Sequence, residues 1–428
     1  MLVKLKSAFW GLLDQGVYSL TSLGLAFFIA RNANPDEFGS YGVVFAIATI
    51  LITIERAQFV MPYMMDFGRS KLSSNMPGPR LRAGAATAVL ISGVALASIA
   101  CLSLVFIGSE YVSLVLAFSF LIPCILLQDV VRYVVLNECG IKRVLSIDVV
   151  WAGVQFGLLL WLHAVGDPTV PTQVVVWALS ALLSVFCAPR AIWSRWSCSD
   201  MRIFISRNGR TGMNLAVESI AASASQYIAI LVLSMVGSLT AVGGIRAIQV
   251  VLGPLGVFSQ GIILSVSTVL IGLGADRKRD VRHYAATISG VVFGISILYI
   301  VLVSVIPPHW GRLVLGENWV LGHGLVWPMG IAQAASGVTL GAMLGFRALQ
   351  ISRQTMVVRL ALLPVGPAAV IVGYKVADTL GAAVGLMVAS IVAALAVWWL
   401  FLRSTRLRSE EPVESSVHTG SPGLRDFS

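Results

Sequence analysis

Four arginines lie inside long apolar stretches, where a charged side chain is costly and usually faces a polar interior. They are Arg56, Arg132, Arg246 and Arg359. A guanidinium group stays charged and binds phosphate through two parallel hydrogen bonds, so arginines that line a cavity suit a pyrophosphate or an acidic sugar. Alternatively, each side chain reaches the membrane interface or pairs with a local acid. We predict that these cations bind an anionic substrate, with Arg246 and Arg359 as the first candidates.

Two carboxylates are candidates for coupling transport to a proton or sodium gradient. Asp14 and Glu218 each lie early in an apolar segment, and a carboxyl group in a low-dielectric cavity can take up and release protons near neutral pH. Each acid can instead be stabilised by the dipole of a helix N-terminus. Asp129 and Arg132 stand three residues apart, so we expect them to form a structural pair on one helix face.

The sequence contains no recognisable pattern of catalytic or metal-binding residues. There is no P-loop, the five cysteines include no C-x-x-C pair, and the five histidines are scattered. The longest loop predicted on the outer side, about 307–321, offers only His309, Arg312 and Glu317 as titratable groups. We therefore predict no metal, no cofactor and no enzymatic activity.

These side chains must be positioned by membrane-spanning helices. The chain is 57% hydrophobic and 12% charged, about half the charged fraction of a soluble domain. Segments of about 20 apolar residues cross a bilayer as helices, which predicts an all-α integral membrane protein with about twelve transmembrane helices. The predicted spans are 8–30, 39–65, 83–107, 111–136, 146–166, 172–192, 213–236, 241–272, 285–306, 322–346, 355–376 and 379–402. The sequence Pro364-Val365-Gly366-Pro367 should break or bend the eleventh span.

The basic residues predict how the helices are oriented. With both termini in the cytoplasm, 23 of the 30 Lys and Arg residues fall on the cytoplasmic side and three on the outer side, as the positive-inside rule requires. The net charge of +10 is explained in this way and predicts no nucleic-acid partner. The apolar stretch after Lys6 is too long for a signal peptide and is interpreted as a retained first span.

The two halves of the chain resemble each other. A shift of 204 residues places Asp14 on Glu218 and Gly39 on Gly243. This predicts two pseudo-symmetric six-helix halves around a central cavity, a recurrent transporter design with the substrate path between the repeats. The predicted divisions are an N-terminal half at 1–195, a basic cytoplasmic linker at 196–212, a C-terminal half at 213–402 and a disordered cytoplasmic tail at 403–428.

Three short motifs resemble those of the polysaccharide exporters. The segment NPDEFGSYG at 34–42 follows Ala30-Arg31 and resembles the turn that opens the second helix in that family. The segment LGENW at 315–319 is similar to the family's outer-loop element, with Leu315 and Trp319 replacing the usual aromatics. The segment GIKR at 140–143 resembles its cytoplasmic Gly-basic turn; the equivalent QISR at 350–353 lacks the glycine.

This resemblance implies the multidrug/oligosaccharidyl-lipid/polysaccharide exporter fold and an O-antigen-type flippase. Such a protein moves an undecaprenyl-pyrophosphate-linked oligosaccharide across the bacterial cytoplasmic membrane, alongside the polymerase and glycosyltransferases of its pathway. Two alternatives stay open. A drug or metabolite antiporter of the same superfamily would have an apolar cavity with one central acid. A membrane sugar polymerase or glycosyltransferase would have a large acidic outer loop.

Overall fold

The computed structural model describes residues 2–70, 78–103, 111–166, 168–193, 197–259, 261–262, 278–349 and 352–407. Every regular element among them is a helix. The helices are α1 (Leu2–Asn32), α2 (Pro35–Glu55), α3 (Met61–Ser70), α4 (Gly78–Leu102), α5 (Val112–Cys139), α6 (Ile141–Val165), α7 (Val170–Val185), α8 (Cys198–Val236), α9 (Leu239–Val251), α10 (Gly253–Ser259), α11 (Lys278–Ser304), α12 (Pro308–Leu315), α13 (Asn318–His323), α14 (Val326–Ala348), α15 (Ser352–Leu362) and α16 (Val365–Leu407). A π-helical turn, Arg56–Val60, joins α2 to α3.

The predicted spans correspond to these helices. By length and apolar composition, seven helices of the described residues can cross a membrane, or nine when two bent pairs each count as one span. The last of the seven contains a tight reversal at Ala377 and Asp378, where Asp378 has φ 46°, so it forms two antiparallel spans as predicted. The shorter apolar helix α7 corresponds to the sixth predicted span and the helix α1 to the first. Residues 104–107 and 263–272 of two predicted spans, and 408–428 of the predicted tail, lie outside the described residues.

Local sequence chemistry sets the helix boundaries. The α2 helix begins with a capping box, in which the Asn34 side chain accepts from the Glu37 amide and Glu37 accepts from the Asn34 amide. Pro35 occupies the first helical turn, where its missing N–H costs nothing. Pro364 separates α15 from α16, which confirms the predicted break in the eleventh span.

Two helices are strongly bent. The two parts of α8, Cys198–Ala221 and Ser225–Val236, meet at 64°, and α9 meets α10 at 48°. From Cys198 onward the basic segment 196–212 belongs to α8 and packs on α4. There Gly84 lies against the Asp200 carbonyl and the Phe204 side chain. The first part of α8 therefore rests on the N-terminal half, whereas its second part lies among the C-terminal helices.

The α2 and α9 helices cross on a pseudo-two-fold axis. A Cβ atom added to Gly39 would overlap the Leu239 carbonyl, and one added to Gly243 would overlap the Pro35 carbonyl. These two contacts exchange under the 204-residue shift, as they must in an interface between equivalent surfaces. Pseudo-symmetric halves therefore pack through equivalent glycines.

The halves touch at one end of the molecule. We call the end that carries the α1–α2 turn the distal face, and the end that carries residues 2 and 407 the terminal face. At the distal face Asn318 donates to the carbonyls of Ala30 (2.8 Å) and Ala33 (2.9 Å), and Thr240 donates to Asp36 at 2.5 Å. Toward the terminal face the C-terminal half has a separate hydrophobic core around Phe346 and Phe401. The conformation is therefore closed at the distal face.

Candidate functional site

Three adjoining cavities extend from the C-terminal half into the N-terminal half. We call them the α15 cavity, of about 360 Å³, the α9 cavity, of about 210 Å³, and the α2 cavity, of about 390 Å³. The first two share the wall residues Gln226 and Tyr227. The last two share Tyr227, Gly253 and Gly256. The cavities thus follow one another from the C-terminal half to the N-terminal half.

Among the described residues that line these cavities, every charged side chain is an arginine. Arg359 lines the α15 cavity, Arg246 the α9 cavity and Arg56 the α2 cavity. Three of the four predicted substrate cations therefore line adjoining cavities that share wall residues. No carboxylate of the described chain lines them.

Arg246 is held flat against an aromatic ring. Its guanidinium carbon lies 3.7 Å from the centroid of Phe45 on the opposite half, close enough for a cation–π interaction. Its side chain donates a long hydrogen bond, of 3.4 Å, to Gln249 and also lies near Tyr41, whereas its Nε has no acceptor among the described residues. In this part of the chain no carboxylate lies within ion-pair distance of Arg246. Its charge is available to a ligand.

Arg359 lies in the last turn of α15, within the C-terminal half. It faces a cavity wall that carries the hydroxyl groups of Ser225, Ser336 and Thr339. Its electrostatic neighbours are the Arg347 cation and the Glu218 carboxylate, yet no described acid lies within 4 Å of it. Glu218 itself is half-buried on α8, so the second coupling candidate lies on the same side of the molecule as this arginine.

Arg56 differs because its charge is neutralised. It forms a two-point contact with Asp129 of α5, with Nη2–Oδ1 at 2.5 Å and Nε–Oδ2 at 3.1 Å. The preceding residue, Glu55, points elsewhere and accepts from Ser92 of α4 at 2.5 Å. Successive residues of a helix point about 100° apart, so these two side chains reach different helices.

Arg132 lies outside the cavity walls in a buried cluster. It donates to Asp148 of α6 at 2.9 Å and to Asp14 of α1 at 2.5 Å, and its guanidinium carbon lies 4.5 Å from the Tyr18 ring centroid. The expected pair between Asp129 and Arg132 is therefore wrong. Contacts with other helices replace it, because a local helical pair is worth only about 0.2–0.5 kcal/mol. Asp14, the first coupling candidate, is already paired in this conformation.

Several wall residues were not predicted from the sequence. The α9 cavity presents the amides of Gln226, Gln249 and Gln333, and the α2 cavity presents Trp151 and Trp177. A glutamine inside an apolar span is a detectable anomaly, so the amides had a sequence signal. The tryptophans had none, because aromatic residues are common throughout apolar helices.

Comparison with known proteins gives a fold. No protein-family model and no curated protein matches this chain. Among solved structures, an inward-facing multidrug resistance MATE family transporter of the MOP superfamily aligns with a TM-score of 0.69 at 13% identity, covering 92% of this chain and 96% of that one. The lipid II flippase MurJ in an inward closed conformation also gives 0.69, at 12% identity, covering 92% and 89%. An outward-facing MATE transporter gives 0.61 at 11% identity, covering 94% of each chain.

These matched proteins are transporters and flippases rather than enzymes. At such low identity the similarity establishes architecture, and it does so over nearly the whole chain. The protein is a multi-pass membrane protein with the fold that the MATE transporters and MurJ share.

Proposed function

We propose that the protein is a flippase of the MOP superfamily that moves an undecaprenyl-pyrophosphate-linked oligosaccharide across the bacterial cytoplasmic membrane. One observation carries this proposal: every charged side chain in the described cavity walls is an arginine, and two of the three have no acidic partner. An unpaired cation in a low-dielectric space is unstable without an anion. A pyrophosphate group supplies that anion and suits the planar guanidinium fork.

The same observation weighs against a drug-cation antiporter. A cationic substrate would need a carboxylate in the cavity wall, and none of the described residues that line the three cavities is an acid. Asp14, Asp129 and Asp148 are instead engaged by Arg56 and Arg132. MurJ is a lipid II flippase, so the shared fold accommodates a lipid-linked substrate. A sugar polymerase or glycosyltransferase is disfavoured because the matched folds belong to transporters.

The closed distal face suggests how transport proceeds. Alternating access requires a second state, open at the distal face, that exposes the same arginines to the other side of the membrane. We infer that the terminal face is cytoplasmic, from the distribution of basic residues, so the substrate enters from the cytoplasm. Polymerase and glycosyltransferases of the same pathway would act before and after this step.

Ion coupling would act through carboxylates near these cations. Asp14 is bound to Arg132 at 2.5 Å, so protonation of Asp14 would release part of that arginine's charge. The Glu218 carboxylate interacts electrostatically with Arg359. Glu218 would thereby link occupancy by a proton or sodium ion to the charge of the cavity residue Arg359, whereas Asp14 would act on the buried cluster around Arg132.

Deleting the gene tests the proposal. Complete lipid-linked repeat units should accumulate in the membrane, inaccessible to a probe added from outside, while surface polysaccharide disappears. The measurement is fractionation of lipid-linked sugars combined with a sidedness probe.

Other functions give different products in the same experiment. A polymerase mutant would display single units on the outer side, and a glycosyltransferase mutant would contain truncated units. An antiporter mutant would keep its polysaccharide and become sensitive to toxic cations. Any of these three outcomes would refute the flippase.

A further inference from the structure

The α2 cavity differs chemically from the two cavities that carry the unpaired arginines. Five of its 16 wall residues are aromatic, whereas the α15 and α9 cavities share a single aromatic residue, Tyr227. The aromatic wall residues are Tyr18, Phe45, Trp151, Trp177 and Tyr227. Its hydroxyl-bearing wall residues are Ser19, Ser22, Thr49 and Thr53.

The aromatic side chains are held in place by mutual packing. Phe45 stacks on Trp177 with an interplanar angle of 18° and 6.3 Å between centroids. Tyr18 packs at a tilt on Trp151, with 5.4 Å between centroids. Trp151 and Trp177 are only 1% and 4% exposed, so these rings form a fixed wall rather than a mobile surface.

The charge in this cavity is already balanced. Its charged wall residue is Arg56, and both guanidinium contacts described above are directed at Asp129. An anionic group entering the α2 cavity would therefore find no unneutralised cation and would meet a carboxylate behind Arg56. The cavity suits an uncharged ligand that carries both apolar surface and hydroxyl groups.

A sugar ring has this combination of surfaces. The C–H faces of a pyranose pack against aromatic rings, and its hydroxyl groups pair with serine, threonine and tyrosine hydroxyls. Rigid aromatic walls with a few placed polar groups are typical of small-ligand pockets, and about 390 Å³ falls within the range of about 300–1,000 Å³ that such pockets occupy.

The position of the cavity indicates which sugar unit of a lipid-linked oligosaccharide would enter it. Phe45 contacts the Arg246 guanidinium at 3.7 Å and also lines the α2 cavity, and Tyr227, Gly253 and Gly256 line both cavities. In a lipid-linked oligosaccharide the first sugar is bonded directly to the pyrophosphate. A pyrophosphate at Arg246 would place that sugar at the entrance to the α2 cavity.

We propose that the α2 cavity is the sugar-binding subsite of the transporter and that it accepts an uncharged sugar next to the pyrophosphate. This inference rests on the proposed flippase function. It assigns the recognition of the headgroup to two adjacent places: the phosphates to Arg246, and the first sugar ring to the aromatic wall of the N-terminal half.

The test measures binding by the full-length protein in lipid nanodiscs. The probes are undecaprenyl pyrophosphate, the same lipid carrying one N-acetylhexosamine, and the same lipid carrying one hexuronic acid. The wild-type protein should bind the N-acetylhexosamine lipid about two- to twelvefold more tightly than the bare lipid, the gain expected from aromatic packing. The hexuronic acid lipid should bind no more tightly than the bare lipid.

Two variants remove the subsite in different ways. Trp177→Leu removes an aromatic wall, and Thr53→Val removes a hydroxyl group whose own hydrogen bond, to the Thr49 carbonyl, lies within α2. Both should abolish the preference for the sugar-bearing lipid over the bare lipid. Trp161→Leu is the matched control, because Trp161 is 60% exposed on α6 and lines none of the three cavities. If Trp177→Leu fails to fold, Thr53→Val decides the test.

The outcomes separate this inference from the proposed function. Equal binding of the bare and N-acetylhexosamine lipids by the wild type, or an unchanged preference in Thr53→Val, would overturn the sugar subsite and leave the flippase standing. Tighter binding of the hexuronic acid lipid would overturn the assignment of an uncharged sugar. Failure of the wild type to bind any of the three lipids would overturn both the subsite and the flippase.

Discussion

The close approach of α2 and α9 can be tested by adding one methyl group to either helix. We expect Gly39→Ala and Gly243→Ala to shift the protein away from the state that is closed at the distal face. In each case the new Cβ would overlap a backbone carbonyl, that of Leu239 or of Pro35. A backbone atom cannot avoid the methyl group by changing rotamer, so the two helices must separate.

The size of the effect follows from the cost of overpacking. Inserting a methyl group into a well-packed contact costs about 1–3 kcal/mol, which corresponds to a change of about 5- to 150-fold in the ratio of closed to open states. Because the two contacts exchange under the pseudo-two-fold axis, both variants should give similar shifts. The double variant should give less than the sum, since separating the helices once relieves both overlaps.

Pulsed electron paramagnetic resonance measures the populations directly. In a cysteine-free background, spin labels at the exposed residues Asn32 and Val236 report the separation of the halves at the distal face. Gly153→Ala is the matched control, because a Cβ at Gly153 of α6 would meet nothing within 4 Å. If both glycine variants give the same distance distribution as this control, closure does not depend on the glycine contacts and the argument is wrong.

Three further predictions concern charge and orientation. Arg246→Ala should weaken binding of undecaprenyl pyrophosphate about 10- to 100-fold, through the loss of charge-assisted hydrogen bonds, while Arg246→Lys should rescue only in part; unchanged affinity would exclude a cationic site here. Asp129→Asn should lower the free energy of unfolding by about 3–5 kcal/mol by leaving Arg56 unpaired, and Arg56→Met combined with Asp129→Leu should recover most of it, as followed by thermal unfolding. A failure of the double variant to recover stability would mean that the pair does more than neutralise charge. Alkaline phosphatase should be active when it is fused after the predicted outer residues Asn34 and Lys375, and inactive when it is fused after the predicted cytoplasmic residue Arg210. The reversed pattern would show that the predicted orientation in the membrane is wrong.

The spans and their breaks were predictable because each depends on a short stretch of sequence. Twenty apolar residues need a helix in lipid, Pro364 cannot continue one, and Asn34 with Glu37 marks a helix start. The start of α8 was missed, since its first 15 residues are polar and basic and became helical by packing on α4. Hydropathy alone carries no information about such a contact.

The partners of the buried charges were not predictable from spacing. Arg132 is bound to an acid 16 residues away and to another 118 residues away, and Arg56 to one 73 residues away. A local rule could only offer Asp129 for Arg132. The sequence identified which side chains are costly in a membrane, but the assembled helices determine which of those costs are offset within the protein.

The duplication explains the position of Arg246. Gly42 and Arg246 are equivalent positions under the 204-residue shift, and a Cβ at Gly42 would lie 3.5 Å from the Arg246 side chain. The absence of a side chain on one helix therefore makes room for the arginine on the other, close to the axis that relates the halves. From there Arg246 contacts Phe45 of one half and Gln249 of the other.

This location has a consequence for the proposed transport function. Arg56 and Asp129 both belong to the N-terminal half and would move together as it rocks, so their pairing need not change. Arg246 belongs to one half and rests on a ring of the other, so relative rotation of the halves must alter its contacts. A ligand bound to Arg246 is thus affected by the conformational change itself, which is the requirement for a site that is loaded from one side of a membrane and emptied on the other.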